Sequence, residues 1–394
     1  MAEIVIASAA RTAVGDYGGA LKGIAPTELG IETARAAIER AGVTADVIGQ
    51  AFYGNVIHTE PRDMYLSRTI AVGAGVPETA PALTVNRLCG SGLQAVVSGV
   101  QALALGDADV VLAGGSESMS RANYAMPAAR WGQKMGDVEV VDMMLGALHD
   151  PFGHGHMGIT AENVAEKYQI SREDQDAFAV ESHRRAAQAI AEGRFAEQIV
   201  PITLRSRKGD TEFTTDEHVR SDASLEGMAK LRAAFRKDGR VTAGNASGLN
   251  DGAASLVLMT ADAAKKHGIT PMARIVAYGH AGVDPQFMGM GPVPAMQNAL
   301  SRAGLTVDDL DVIESNEAFA AQACAVTAQL GLDPAKVNPN GGAVAIGHPV
   351  GASGAIIATK LLYELKRTGG KYGAATMCIG GGQGIALIVE NTAS

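Results

Sequence analysis

A chain of 394 residues exceeds what one ordinary hydrophobic core organises, and it predicts two or three domains. With 47% hydrophobic and only 4% aromatic residues it fits a globular protein of small aliphatic packing, and no uninterrupted apolar run approaches the ~18 residues of a membrane span. A net charge of −9 argues against nucleic acid or an anionic membrane as partner, and three cysteines cannot frame a disulfide-stapled fold.

Along the chain, short apolar runs alternate with amphipathic segments that end in glycine. EIVIASAAR is expected as a first strand rather than a signal, since no basic segment precedes it. PTELGIETARAAIERAG follows as helix, QAFYGNVIH as strand, MYLSRTIAVGAG as helix and ALTVNRL as strand. GSGLQAVVSGVQALALG is then a helix, by the spacing of Leu93, Val96, Val97, Val100 and Leu103, and DVVLAGG a strand. From Ser120 to Gly248 the alternation is interrupted by helical pieces and polar loops, before ASLVLMT returns as a strand. A second series follows: ARIVAYG, PAMQNALSRAG, LDVIESNEA, FAAQACAVTAQLG, KVNPNGG (a strand), SGAIIATKLLYELKRTG, AATMCIGG and GIALIVE. ENTAS at the end carries no retention or lipidation tag, and the odd cysteine count suits a reducing compartment, so the expected location is cytoplasmic.

The two series are copies. AIERAGVTADVI (37–48) aligns without gaps on ALSRAGLTVDDL (299–310), with six identities in twelve positions, and at the same offset of 262 Ser91-Gly92 falls on Ser353-Gly354. The fold class is α/β: two duplicated halves with mostly parallel sheets, their shared helices buried centrally in five αβαβα layers, plus an inserted loop domain. The expected boundaries are 1–119 with 249–269 for the first half, 120–248 for the insertion and 270–394 for the second half.

Cys89, in NRLCGSG, sits where a strand turns into a helix. Unpaired N–H groups and the helix dipole there favour an anion, which would lower the thiol toward neutrality and make it nucleophilic; the flanking glycines would admit a second molecule. The competing reading is a small core residue. Cys378, in TMCIGGGQG, ends a strand before a glycine loop whose N–H groups could hold an oxyanion, or is a buried cysteine beside a tight turn. Cys324, inside a helix, reads as packing.

His348, in AIGHPVGASG, lies three residues before the counterpart of Cys89, so loops from the two halves would bring a base to a nucleophile. Asn316, in SNEAFAAQA, is either a holder of water or oxyanion or a helix N-cap. His149, His154 and His156 lack carboxylate or cysteine neighbours at ligand spacing, so no metal is expected. TAGNASGLNDGA is no P-loop, and no GxGxxG follows the first strand. From Pro201 to Arg240, nine Lys/Arg stand against seven Asp/Glu, a slightly basic stretch in an acidic chain.

NRLCGSG, SNEAFAAQ, AIGHPVGASGA and CIGGGQG, in this order and spacing, resemble the signature blocks of thiolases, and HMGITAENVA and TAGNASGLNDGA resemble that family's insertion. The likeness spans the chain and is nearest to biosynthetic acetyl-CoA acetyltransferases, including the β-ketothiolases that supply polyhydroxyalkanoate synthesis in bacteria. It implies that Cys89 carries the acyl group, His348 activates it and donates to the thioester oxygen, and Cys378 moves the α-proton of a second acetyl-CoA. Asn316 would hold a water completing one oxyanion hole, and the N–H groups of Cys89 and Gly380 would form another. No cofactor is implied beyond coenzyme A as substrate and product.

For coenzyme A the resemblance implies Leu148, His156, Met157, Arg220, Ala234 and Phe235, then Ala243, Ser247 and Leu249, with Met288, Ala318 and Phe319 nearby. Arg220 would face the nucleotide end; Gly227 departs from the serine of many relatives, which puts an adenine contact there in doubt. YAMPAARWGQKMGDVEVVD (124–142) resembles a tetramerisation loop, implying a dimer of dimers. The rival readings are a ketoacyl-synthase-like condensing enzyme, which would lack a second cysteine at Cys378, and a non-catalytic acyl-CoA carrier. A Cys–His–Asn hydrolase would leave Cys378 and the insertion unexplained.

Overall fold

The computed structural model describes residues 2–393. The first half runs β1 (Ile4–Thr12), α1 (Pro26–Arg40), β2 (Gln50–Gly54), α2 (Leu66–Gly73), β3 (Ala82–Val85), α3 (Ser91–Leu105) and β4 (Val110–Ser118). The insertion contributes α4 (Met157–Lys167) and α5 (Arg172–Ala191), and the chain returns in β5 (Asn250–Thr260). The second half runs β6 (Ala273–Gly282), α6 (Pro292–Ala303), β7 (Val312–Ser315), α7 (Ala320–Leu330), α8 (Val350–Thr368), β8 (Tyr372–Ile379) and β9 (Gln383–Asn391).

The duplication is geometric as well as textual. β2 and β7 begin 262 residues apart, as do β4 and β8, and so do the short turns Ala45–Val47 and Val307–Asp309. Each half orders its strands alike, β3-β2-β4-β5-β1 and β7-β8-β9-β6, and the edge strands β1 and β6 meet antiparallel through Val5↔Arg274 and Ile6↔Ala273. Helices α3 and α8 lie between the two sheets, with α1 and α2 outside the first and α6 and α7 outside the second. These are the five expected layers.

Two expectations need correction. The sheets are mixed rather than mostly parallel: β3-β2-β4 and β7-β8 pair parallel, but β5 and β9 enter antiparallel to both neighbours. The cause is a hairpin in place of a crossover helix. β8 turns into β9 through Gly380–Gly382, with Ile379 opposite Gln383; in the first half Ser118 pairs with Asp251, so the whole insertion stands where that turn would be. KVNPNGG is not a strand either. Only Val337 bridges to Ile313, and Asn338, at φ +45°, substitutes side chain for ladder: its Oδ1 accepts the Ser315 N–H at 2.9 Å and its Nδ2 donates to the Ser315 carbonyl at 2.8 Å.

The central helices explain the closeness of the two halves. In α3, Leu93, Val96, Val97, Val100 and Leu103 are buried, each contributing about 1.5–3 kcal/mol, and Gly106 at φ +80° ends the helix. Gly92 and Gly354 sit where α3 crosses α8: a Cβ on Gly354 would stand 2.2 Å from the Leu93 nitrogen, and one on Gly92 2.8 Å from that of Ala355. Backbone therefore packs on backbone, which draws the loop before each helix toward the same place. The insertion is held to this frame by the fully buried Arg11–Asp216 ion pair at 2.7 Å.

Candidate active site

Cys89 precedes α3 on a strained turn. Leu88 takes the left-handed conformation (φ +44°), worth about 1–3 kcal/mol of strain in a non-glycine residue. Ser91 holds the turn: its Oγ donates to the Leu88 carbonyl at 2.7 Å and accepts the Arg87 N–H at 2.8 Å. The neighbouring glycines serve the fold rather than an incoming molecule, contrary to the sequence expectation. A Cβ on Gly90 would stand 2.4 Å from Ile379 Cδ1, and Gly92 faces α8 as described. The thiol also departs from expectation. Burial raises its pKa above the ordinary cysteine value; the N–H groups of Gly380 and of Cys89 itself pull it back, and the Glu117 carboxylate pushes it up further. Cys89 thus rests as a thiol that needs a base.

His348 supplies one. Burial lowers its imidazole to a pKa of about 4, so the ring is neutral at physiological pH. Its Nδ1 lies 2.6 Å from Ser353 Oγ, and that hydroxyl donates to the Pro349 carbonyl at 3.0 Å. With that hydroxyl proton on the Pro349 carbonyl, the short contact puts the imidazole proton on Nδ1 and leaves Nε2 as an acceptor facing Asn316 Nδ2. Asn316 Nδ2 stands 3.5 Å from that Nε2, while Asn316 Oδ1 is buried without a protein partner. Asn316 is not a helix cap: α7 starts after Phe319.

Cys378 is the penultimate residue of β8, fully buried, and Gly380 begins the hairpin turn that follows Ile379. Burial, then the nearby Cys89, raises its thiol well above the usual range. Gly380 presents its N–H toward the Cys89 sulfur, and a Cβ there would stand 3.1 Å from Leu88 and 3.3 Å from Met157. Gly381 and Gly382, at φ +80° and +83°, make the turn possible.

Cys89, His348, Cys378 and Gly380 open onto one cavity of about 370 Å³. The insertion roofs it. His156 and Met157 come from the start of α4, where His156 Nδ1 accepts the Gly158 N–H and its ring stacks on Phe235 at 4.8 Å. Leu148 lines the wall, as do Ala234 and Phe235, and Ala243, Ser247 and Leu249 from the glycine-rich loop. Met288, Ala318 and Phe319 of the second half close the far side. Asn316 reaches the site through His348 rather than through the cavity wall. Arg220 is not brought in: it is exposed outside the cavity, its backbone N–H donating to His183 Nδ1 at 3.1 Å. Met119, Leu145, Ala246, Gly248 and Val350 also line the cavity, and sequence reasoning missed them. They are apolar or small and carry no chemical signal, although Met119 follows β4 and Ala246, Gly248 and Val350 lie inside TAGNASGLNDGA and AIGHPVGASGA.

A larger cavity of about 560 Å³, between α5 and α7, holds Cys324, whose thiol burial pushes up to about 12. Its one buried carboxylate, Glu317, already accepts from Ser182 Oγ, Asn338 Nδ2 and the Val344 N–H, so no acyl chemistry assembles there. Among the described residues no group of three or more His, Cys, Asp or Glu could hold a metal ion.

Residues 4–262 match the family model of the thiolase N-terminal domain and residues 269–391 that of the thiolase C-terminal domain. The β-ketothiolase BktB of Cupriavidus necator is 63% identical over 389 residues, covering 98% of this chain and 99% of that protein. An acetyl-CoA acetyltransferase of the same organism is 53% identical over 99% of this chain and all of its own length. Among solved structures, Bacillus anthracis acetyl-CoA acetyltransferase superposes with TM-score 0.97 at 46% identity, covering 99% of each chain. Human mitochondrial 3-ketoacyl-CoA thiolase in complex with CoA superposes with TM-score 0.97 at 45% identity, covering all of this chain and 98% of that one. The chain belongs to the thiolase family.

Proposed function

We propose that this chain is an acetyl-CoA C-acyltransferase that condenses acetyl-CoA with a short acyl-CoA through an acyl-Cys89 intermediate, and cleaves short β-ketoacyl-CoA in reverse. The observation that carries the reading is the sharing of one cavity by two sulfurs and a neutral imidazole.

Two resting thiols and one resting imidazole let the protons balance. His348 Nε2 takes the Cys89 proton as the sulfur attacks the thioester, and Cys378 gives its proton to the departing CoA sulfur. The acyl group is then on Cys89, with imidazolium and Cys378 thiolate as a transient ion pair; mutual attraction in a water-poor site lets so weak a base hold its proton. The Cys378 thiolate takes the α-proton of the second acetyl-CoA. The enolate oxygen accepts from His348 Nε2–H and from a water held by Asn316, and such fixed donors make so weak an acid ionisable. The enolate carbon attacks acyl-Cys89, whose oxygen faces the N–H groups of Cys89 and Gly380. The Cys89 sulfur leaves and recovers its proton from His348.

The roof of small and apolar side chains supports coenzyme A entering along Ala243, Ser247 and Leu249, where a thin pantetheine arm can lie against backbone, with Arg220 outside at the nucleotide end. Tyr124, Met126, Trp131 and Met135 are exposed in a loop of the insertion, Trp131 by 86% and Met135 by 90%. Such a patch supports assembly through that loop into a tetramer. The place in metabolism we favour is the supply of short β-ketoacyl-CoA in the cytoplasm, as polyhydroxyalkanoate synthesis requires. The test is to mix the protein with acetoacetyl-CoA and CoA and follow loss of enolate absorbance, then repeat with C5 and C6 β-ketoacyl-CoAs. Binding without turnover would favour an acyl-CoA carrier.

A further inference from the structure

Asn250 opens β5 inside the run TAGNASGLNDGA, and the mechanism above gives it nothing to do. Its side chain is fully buried. Oδ1 accepts the backbone N–H of His348 at 2.8 Å, and Nδ2 donates to the Gly15 carbonyl at 3.1 Å. An amide is suited to this, because one end accepts and the other donates. Two glycines make its slot. A Cβ on Gly347 would stand 2.5 Å from Asn250 Cγ, and one on Gly248 2.8 Å from its Oδ1. Gly347, at φ +110°, immediately precedes His348; Gly248 lines the cavity. The side chain is therefore wedged between the cavity wall and the backbone of the base.

We propose that Asn250 is a positioning residue for His348. Ser353 fixes the imidazole at Nδ1, and Asn250 fixes the backbone from which the ring projects. With both held, Nε2 keeps one place, 3.5 Å from Asn316 Nδ2 and beside the cavity that Cys89 shares. Without the amide, the His348 N–H is buried and unpaired, and the Gly347–His348 segment is free to shift into the space left. Displacements of about 1 Å in such a support cost on the order of 100-fold in rate. The inference rests on His348 being the base for Cys89.

The test compares the full-length Asn250→Ala and Asn250→Asp proteins with wild type and a His348→Ala control. Two quantities are read: the rate at which iodoacetamide alkylates Cys89 at pH 7, and kcat and KM for acetoacetyl-CoA thiolysis. Asn250→Ala is expected to slow alkylation roughly tenfold, toward the His348→Ala rate, and to lower kcat on the order of 100-fold with KM within about threefold. Asn250→Asp, which keeps an acceptor for His348 but turns a second one on the Gly15 carbonyl, is expected to fall between. A merely structural role would lower the melting temperature and leave alkylation of the folded protein unchanged. Either variant, folded and alkylated at the wild-type rate with kcat unchanged, overturns the proposal; should the alanine protein not fold, the aspartate protein decides alone. If wild type shows no thiolysis while alkylation still depends on His348 and Asn250, the proposed function fails and this inference stands.

Discussion

At the 262-residue offset the two halves hold different chemistry at equivalent places. Cys89 falls on Gly351, His348 on Asn86, Cys378 on Ser116 and Asn316 on Gly54. The fold thus offers two related corners around its approximate twofold, and only one contains the cavity. The other is filled. Glu117 lies beside Gly351, its carboxylate accepting the N–H groups of Val56, Ile57 and Gly351 and the Asn55 side chain. A Cβ on Gly351 would stand 2.4 Å from Glu117 Oε2 and 2.9 Å from Asn55 Cα. Duplication supplies the meeting of two loops; chemistry requires that they differ, with a nucleophile on one and a base on the other.

The comparison can be broken at either corner. Cys89→Ala removes the group that carries the acyl chain, and turnover is expected to fall by about 10⁶, read as acetoacetyl-CoA thiolysis at saturating CoA. Asn316→Ala, whose counterpart Gly54 has no side chain to lose, is expected to lower kcat by about 10²–10³, since it strips one support from the enolate oxygen. A steady-state assay that leaves kcat unchanged would remove Asn316 from the site. At the filled corner, Gly351→Ala should destabilise without touching a reacting atom: the new methyl must displace Glu117 or the Asn55 backbone, at a cost of about 1–3 kcal/mol by denaturant titration.

The last effect concerns pH. Burial lowers His183, His280 and His348 to about 4 in the folded chain, so between pH 6.5 and about 4 the unfolded chain binds more protons. Stability contributed by these groups is present above pH 6.5 and is lost as pH falls through this window. The melting temperature should drop accordingly, and replacing His183 by an uncharged residue of similar shape should flatten the slope by about one proton's worth.

Much of this was legible in the sequence. Helices α1, α3, α6 and α8 announce themselves by apolar spacing and a closing glycine, and the 262-residue repeat carries two catalytic loops to one place. Strand direction was not legible, because a strand covered on both faces has the same apolar run whether it pairs parallel or antiparallel. Asn338, which mimics a strand with its side chain, cannot be told from a loop residue before its partner Ser315 is seen. The state of the Cys89 thiol was not legible for a related reason: a helix N-terminus is visible in NRLCGSG, but the burial that outweighs it is a tertiary property. Asn250 carried no signal of its own inside an Ala- and Gly-rich run.

The reaction depends on Cys89 and Cys378 dividing the work between acyl carriage and proton transfer. The most direct measurement is peptide mass spectrometry of the Cys378→Ala protein quenched after incubation with acetyl-CoA alone. Acetyl on the Cys89 peptide, accumulating more slowly than in wild type because CoA leaves without the Cys378 proton, while no acetoacetyl-CoA forms, is the predicted result. A protein that still condenses, or one whose Cys89 stays unacylated, would contradict it.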